Sequence, residues 1–386
     1  MTPPTQSSAA PHSYWTDSPV CVFGGNGFLG RHIVAKLLER GARVRTLSLP
    51  GPPVGDPHPN LDARTGDLAD PDAVHAAVKG ARVVFLAAGP VGAGGSAARA
   101  MGTHTDALTR VLGALPGDAR LVLTSSIVAV GAGRGEARDE DSPFPNAGMC
   151  VAYVQAKRAA EETVLALAEQ RNVVVVNPGY LFGPDDPGLS VMGELCVRFW
   201  RGNLAVPPPG GINAVDVRDV AEGHLFAAER GTAGRRYILG GENVRFAELF
   251  AMLARAGGLR RAFLPSFRPA APAWAYWALA ACAELGHRVT GKEPRPSFEF
   301  VRLFRRCWFV QSTRAETELG YRARPLSETL ADTFAWHATR TRVAPRGLNR
   351  LWLRSVQSAL RGAEQERLVR ETQLVIDVGE PGHRQL

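Results

Sequence analysis

The stretch VCVFGGNGFLGRHIVAKLLERG, residues 20–41, decides the fold. Val20, Cys21, Val22 and Phe23 form a short apolar run of the kind buried on both faces of a parallel sheet. A glycine-broken turn follows, and Ile33, Val34, Leu37 and Leu38 then recur at helical spacing until Gly41 ends the pattern. The stretch reads as strand, phosphate loop and helix. Gly24, Gly27 and Gly30 give Gly-x-x-Gly-x-x-Gly, one residue longer in its first gap than the common dinucleotide fingerprint. Gly24 lets the chain turn off the strand, Gly27 lets backbone N–H groups approach a pyrophosphate, and Gly30 lets the helix lie close to the strand. The helix N-terminus adds partial positive charge where phosphates would sit.

Working outward, 386 residues with 45% hydrophobic content suffice for one large core or two smaller ones. Residues 1–18, rich in Pro, Ser and Thr, read as a disordered lead without an apolar signal core. The formal charge of +8 comes from basic residues scattered over helical faces rather than clustered with stacking aromatics, which argues against nucleic-acid binding. Lys36, Lys79, Lys157 and Lys292 are the only lysines, so arginine fills nearly every basic position and each lysine is informative. Five scattered cysteines without a Cys-x-x-Cys pair, and dispersed histidines, point to a reducing, cytoplasmic setting and to no metal site.

Residues 43–49 read as a second strand, Gly66-Asp67-Leu68 as the end of a third, and residues 82–88 as a fourth. Ser48 and Leu49 stand where an acid would favour NAD and a base NADP, which leaves that choice open. Residues 90–98 are small and glycine-rich and read as a loop. RLVLTSSIVAV, residues 120–130, reads as a further buried strand with Ser126 near the carboxyl edge of the sheet. Tyr153 and Lys157 then lie one helical turn apart on one face. A neighbouring ammonium and an oxidised nicotinamide favour the phenolate, so Tyr153 would exchange the proton of a substrate alcohol while its carbon exchanges hydride. Ser126 would hold the same oxygen in register, and Lys157 would also bind the nicotinamide ribose.

These motifs resemble an extended short-chain dehydrogenase/reductase of the NAD-dependent epimerase/dehydratase superfamily. The resemblance runs from about residue 19 to 336, through GGNGFLG, GDLADPDAV, VVFLAAG, LVLTSSIVAVG, YVQAKRAAE, VVVVNPGYLFGPDD and INAVDVRDVAEGH. It implies a doubly wound α/β fold with a parallel Rossmann sheet and a smaller, mainly helical substrate-binding part. It also implies NAD or NADP held by Gly24, Asn26, Gly27, Phe28, Leu29, Gly30, Ser48, Asp67, Leu68, Ala87, Ala88, Gly89, Tyr153, Lys157 and Pro178, with Ser126, Tyr153 and Lys157 catalytic. Ser126 is matched by its distance to Gly131, in preference to Ser125. Two departures stand out: Thr103 to Ala107 replaces an Asn-x-x-Gly-Thr helix start, and Asn177 replaces the arginine many members carry before Pro-Gly. Within the superfamily the chain is most similar to dihydroflavonol-reductase-like proteins, hydroxysteroid dehydrogenases and the hopanoid-associated sugar epimerase group.

The expected organisation is a dinucleotide core at 19–180 and 213–241, a substrate part at 181–212 and 242–336, and a basic helical tail at 337–386. Asn213-Ala214-Val215 offers no guanidinium for a second diphosphate, whereas residues 265–285 supply Trp274, Tyr276, Trp277 and Leu279 to line an apolar pocket. The expected activity is NAD(P)-dependent hydride transfer on a secondary alcohol or ketone of a hydrophobic small molecule. Epimerisation on a tightly held cofactor is the alternative, and a non-catalytic dinucleotide-binding sensor is the rival of another class. The apolar helix at ~20 Å is too short for a ~30 Å hydrocarbon layer. The basic helix carrying Arg346, Arg350, Arg354 and Arg361 could serve either peripheral contact with the inner membrane face or a homodimer.

Overall fold

The computed structural model of the protein describes residues 13–16, 18–89, 97–133, 135–145, 151–204, 207–258, 273–290 and 297–341. The glycine-rich loop at 90–96 and the basic tail beyond 341 lie outside the described residues.

The chain begins with α1 (Ser13–Thr16), β1 (Val20–Phe23), α2 (Phe28–Glu39), β2 (Val44–Ser48), β3 (Leu61–Thr65), α3 (Pro71–Val78) and β4 (Val83–Leu86). It continues with α4 (Ala97–Ala114), β5 (Arg120–Thr124), α5 (Ile127–Val130), α6 (Ala152–Leu165), β6 (Val173–Pro178), β7 (Tyr180–Phe182), α7 (Val191–Trp200), β8 (Gly211–Asp216), α8 (Val217–Arg230) and β9 (Arg236–Leu239). The remaining elements are β10 (Glu242–Arg245), α9 (Phe246–Ala256), α10 (Ala273–Thr290), α11 (Phe298–Phe304), β11 (Cys307–Trp308) and α12 (Leu326–Thr341).

Seven strands pair in parallel in the order β3-β2-β1-β4-β5-β6-β9, the doubly wound Rossmann arrangement. The order reverses between β1 and β4, the point at which folds of this class bind ligands at the carboxyl ends of the strands. Strand β1 shows why its sequence is apolar throughout. Val20 and Val22 pack into the cluster under α2 and α8, while Cys21 and Phe23 pack into the cluster with α3, α4 and α6. Each such buried side chain contributes about 1.5–3 kcal/mol, so a strand covered on both faces has no place for an alternating polar residue.

Three expectations are corrected. Residues 13–16 are not part of a disordered lead: Trp15 is 2% exposed, stacks on Phe85 and donates to Glu229 at 2.7 Å, while the Tyr14 hydroxyl donates to the Ala228 carbonyl. The indole's apolar area outweighs the Pro/Ser/Thr composition around it. The strand expected over 120–130 stops at Thr124, and Ser126 caps the short α5 by accepting from the Val128 N–H at 3.3 Å. Hydroxyls at a strand end favour a local cap over further pairing.

The third correction concerns the bounds of the smaller part, which is mainly helical as expected. It holds a second sheet in which β8 pairs with β10 on one edge and with β11 and β7 on the other. The boundaries expected at 180/181 and 212/213 both cut strands of this sheet. Around it packs one large cluster containing Trp200, Phe246, Phe250, Phe304 and Trp308. Among the described residues no helix is long and apolar enough to cross a membrane.

Candidate active site

The glycine loop is built as its sequence requires. Gly24 sits at φ +81°, and a Cβ there would lie 2.8 Å from the Ala88 Cα. A Cβ on Gly30 would lie 2.0 Å from the Gly24 carbonyl oxygen, so only a bare helix start fits against the turn. Gly27 is exposed and is the N-cap of α2, with no side chain to accept from the first-turn N–H groups, which leaves donors for an anion. Ser48, buried at the end of β2, accepts from the Asn26 N–H, and the Asn26 amide donates to the Leu49 carbonyl at 2.7 Å. Arg31 braces the loop by donating to Asp185 at 2.9 Å and to the carbonyls of Asn26 and Pro53.

The other residues expected to meet the cofactor lie along the same edge, because all seven strands of the sheet run parallel. Phe28 and Leu29 open α2, Asp67 and Leu68 follow β3, Ala87, Ala88 and Gly89 follow β4, and Pro178 ends β6. Strand β2 ends in Ser48, followed by Leu49, neither of them a carboxylate or a guanidinium. Leu49 is exposed there, and Arg45 and Arg64 are both paired with Asp62.

Ser126, Tyr153 and Lys157 converge where β5 meets α6. The Lys157 ammonium donates to the Thr124 carbonyl at 3.0 Å. The Tyr153 hydroxyl lies close enough to the Ser126 hydroxyl for the serine to favour its anion, and the Ser126 oxygen accepts from the Val128 N–H. Ser125, the alternative serine, is committed elsewhere: its hydroxyl donates to Glu161 at 2.7 Å. The positions 153, 157 and 161, one helical turn apart, thus each engage one of the three residues Thr124, Ser125 and Ser126.

Burial dominates the electrostatics of the pair. Burial pushes Tyr153 up to about 12, opposed by the Ser126 hydrogen bond. Burial also lowers Lys157 to about 8, against the pull of the Glu161 carboxylate. Desolvation is the larger influence on both groups, and the Lys157 ammonium is bonded to the Thr124 carbonyl. At neutral pH the phenol carries its proton, the state that donates to a carbonyl oxygen.

Four groups around the site had no role in the sequence reading, although Asn177 was noted there as replacing an arginine. Glu161 is 2% exposed and accepts from Ser125, Asn177 and Arg236. Asn177, fully buried, donates to Glu161 at 2.7 Å and to the Ser126 carbonyl at 3.0 Å. Its position at the end of the run Val173–Val176 was the available signal, since a polar side chain among buried valines needs partners. Tyr180 projects a buried hydroxyl with no protein partner, close enough to Tyr153 for the two to interact electrostatically. Arg31 is the fourth; nothing in its spacing marks it.

The apolar lining is also redistributed. Trp274 is 71% exposed and Leu279 54%, so neither lines a pocket as expected. Tyr276 and Trp277, from the buried side of α10, form a narrow cleft with Pro208, Pro209, Phe300 and Phe304. Phe304 in turn contacts Tyr180 at 5.9 Å between ring centroids, which carries the aromatic surface towards Tyr153.

Residues 20–240 match the model of the NAD dependent epimerase/dehydratase family. The chain belongs to that family. It is 32% identical over 336 residues to the putative dihydroflavonol 4-reductase of Synechocystis sp., covering 84% of this chain and 96% of the relative. It is 27% identical to the sterol demethylase protein B of Methylococcus capsulatus over 83% of this chain and 98% of that one. Among solved structures, that of gox2253 superposes with a TM-score of 0.71 at 30% identity, covering 84% of this chain and 98% of that one. The protein is accordingly an NAD(P)-dependent enzyme of the Rossmann class. Its residues fit the dinucleotide, because the cradle at Gly24 and Gly30 admits no side chain and the α2 N-terminus is uncapped.

Proposed function

We propose that the protein reduces a ketone, or oxidises the matching secondary alcohol, on a hydrophobic small molecule of steroid-, flavonoid- or natural-product-like shape. The observation that carries this reading is the convergence of Tyr153, Ser126 and Lys157, the last held by the Thr124 carbonyl, beside the aromatic Tyr180–Phe304 pair. The names of the two relatives, a dihydroflavonol reductase and a sterol demethylase protein, support the substrate class.

The bound nicotinamide would supply the hydride. The chain's own residues do the rest: Ser126 and Tyr153 grip the substrate oxygen, and Tyr153 gives it a proton as the carbonyl is reduced. Lys157, one turn along α6 and held by the Thr124 carbonyl, would bind the nicotinamide ribose and, as a cation, would favour the phenolate left behind. The Gly24–Gly30 cradle, the end of β2 and the edge at Asp67, Leu68, Ala87, Ala88, Gly89 and Pro178 would hold the dinucleotide.

A nucleotide-sugar substrate is disfavoured by Asn213. Its amide is consumed by the Gly241 carbonyl, the Asn243 side chain and the Gly241 N–H, leaving no donor there for a second diphosphate. The deciding experiment incubates the protein with NADH or NADPH and a panel of steroid and flavonoid ketones, following loss of the reduced nicotinamide. Loss in proportion to added ketone is expected. Retention of a tightly bound cofactor through purification, with sugar isomers interconverted and no net cofactor turnover, would overturn the reading in favour of an epimerase.

A further inference from the structure

Burying a carboxylate costs several kcal/mol unless every lone pair is matched, so a buried Glu is placed where its partners matter. Glu161 has such partners. Its Oε2 accepts from the Ser125 hydroxyl and the Asn177 amide, each at 2.7 Å, and its Oε1 accepts from Arg236 at 2.9 Å. Arg236 alone could neutralise it, and Arg236 is held in turn by the Glu140 carbonyl. The other two bonds lead into the active site. Ser125 immediately precedes Ser126, and Asn177 grips the Ser126 carbonyl with the same Nδ2 that it gives Glu161. Because both of those neighbours are acceptors, the amide has only one orientation that satisfies them.

We infer that Glu161 is a positioning residue for the proposed reduction: its carboxylate fixes Ser125 and Ser126 in register with α6 and presents a negative charge to Lys157, one turn away. The inference rests on the assignment of Ser126, Tyr153 and Lys157 given above. It explains why three consecutive residues of the β5 end are each tied to successive turns of α6. It also accounts for a single polar residue at the end of the valine strand.

Among the described residues, the other ionisable groups near Lys157 do not duplicate this charge. Tyr153 on α6 and Tyr180 on β7 are both pushed towards the neutral form by burial. His224 on α8, bonded to the Thr124 hydroxyl, is lowered by burial to about 4 and is neutral. Arg236 on β9 is engaged by Glu161, and the Glu140 carboxyl is raised by burial and accepts from the Ile238 N–H. Glu161 is the charge acting on Lys157, whose ionisation lies at about 8.

The test uses the rarity of lysine in this chain. With ¹³C-labelled lysine, the Cε–Hε resonances of Lys36, Lys79, Lys157 and Lys292 are few enough to follow separately, with Lys157→Arg supplying the assignment. The wild-type Lys157 midpoint is expected at about 8. In Glu161→Gln it should fall by roughly 1–2 pH units, the scale of losing a nearby opposite charge. In Ser125→Ala the midpoint should stay where it is while ketone turnover drops roughly 3- to 10-fold, the scale of one lost hydrogen bond. Glu161→Asp should restore most of the midpoint. A wild-type midpoint in folded Glu161→Gln overturns the inference. Should Glu161→Gln not fold, wild-type turnover in both Ser125→Ala and Glu161→Asp overturns it instead. The lysine titration needs no substrate, so a failure of the proposed reductase activity would be seen separately.

Discussion

Replacing Gly30 by alanine tests the phosphate cradle at its tightest point. The added Cβ would meet the Gly24 carbonyl oxygen at 2.0 Å and the Gly24 carbonyl carbon at 2.8 Å, both backbone atoms that no side-chain rotation can clear. An ordinary contact needs a little over ~3 Å, so the turn must retreat by about 1 Å. The Gly24 carbonyl also accepts from the Gly27 N–H at 3.0 Å, and the Gly24 N–H donates to the Leu47 carbonyl at 3.0 Å, so the whole loop moves with it. A shift of that size breaks donors aimed at a pyrophosphate. Losing two charge-assisted bonds of about 1.5–3 kcal/mol each weakens cofactor binding by more than ~100-fold. Overpacking should cost the fold a further ~1–3 kcal/mol, which leaves the protein folded at moderate temperature. Titration of intrinsic fluorescence with NADH and NADPH, alongside a thermal melt, measures both effects. A folded Gly30→Ala variant that binds within about threefold of wild type would refute the reasoning.

Two further outcomes follow from buried polar groups. Tyr180→Phe removes a buried hydroxyl with no protein partner, so thermal denaturation should show a stability unchanged or raised by up to ~1 kcal/mol, while KM for the ketone rises about tenfold if that hydroxyl meets the substrate. A destabilised variant with unaltered KM would show the hydroxyl to be structural. His224 is fully buried, with its Nδ1 on the Val220 carbonyl and its Nε2 on the Thr124 hydroxyl, and it titrates at about 4 rather than 6.5. The unfolded chain takes up a proton below 6.5 that the folded protein refuses until about 4, so stability is full above that window and falls as pH drops through it. Between pH 7 and 5 the loss from this group is about 2 kcal/mol, read from urea midpoints. His337 acts with the same sign, so the comparison with His224→Gln isolates the effect; an equal pH dependence in that variant would contradict it.

The parts of the fold that were legible in the sequence are those governed by short-range rules. Residues 20–41 read correctly because an apolar strand, three glycines and an amphipathic helix each constrain a few neighbouring residues. Tyr153 and Lys157 were legible for the same reason, since four-residue spacing fixes a shared helix face. Long-range pairing was not. Strands β7, β8, β10 and β11 are two to six residues long and come from four distant segments, so no local periodicity announces their sheet. Trp15 was hidden by its polar surroundings, although it docks 214 residues away in sequence. The phenol's ionisation depended on burial, which tertiary packing alone decides. Glu161 looked like one more charged position on a helix until Ser125 and Asn177 were brought against it.

The central claim is that the Tyr153 hydroxyl passes the proton while the cradle independently holds the dinucleotide. Tyr153→Phe tests it directly, with turnover of a ketone substrate and cofactor affinity measured on the same preparation. Turnover should fall by about 10²–10⁴-fold while NAD(P)H affinity stays within about threefold. Turnover within tenfold of wild type, with the variant folded and the cofactor bound, would contradict the account.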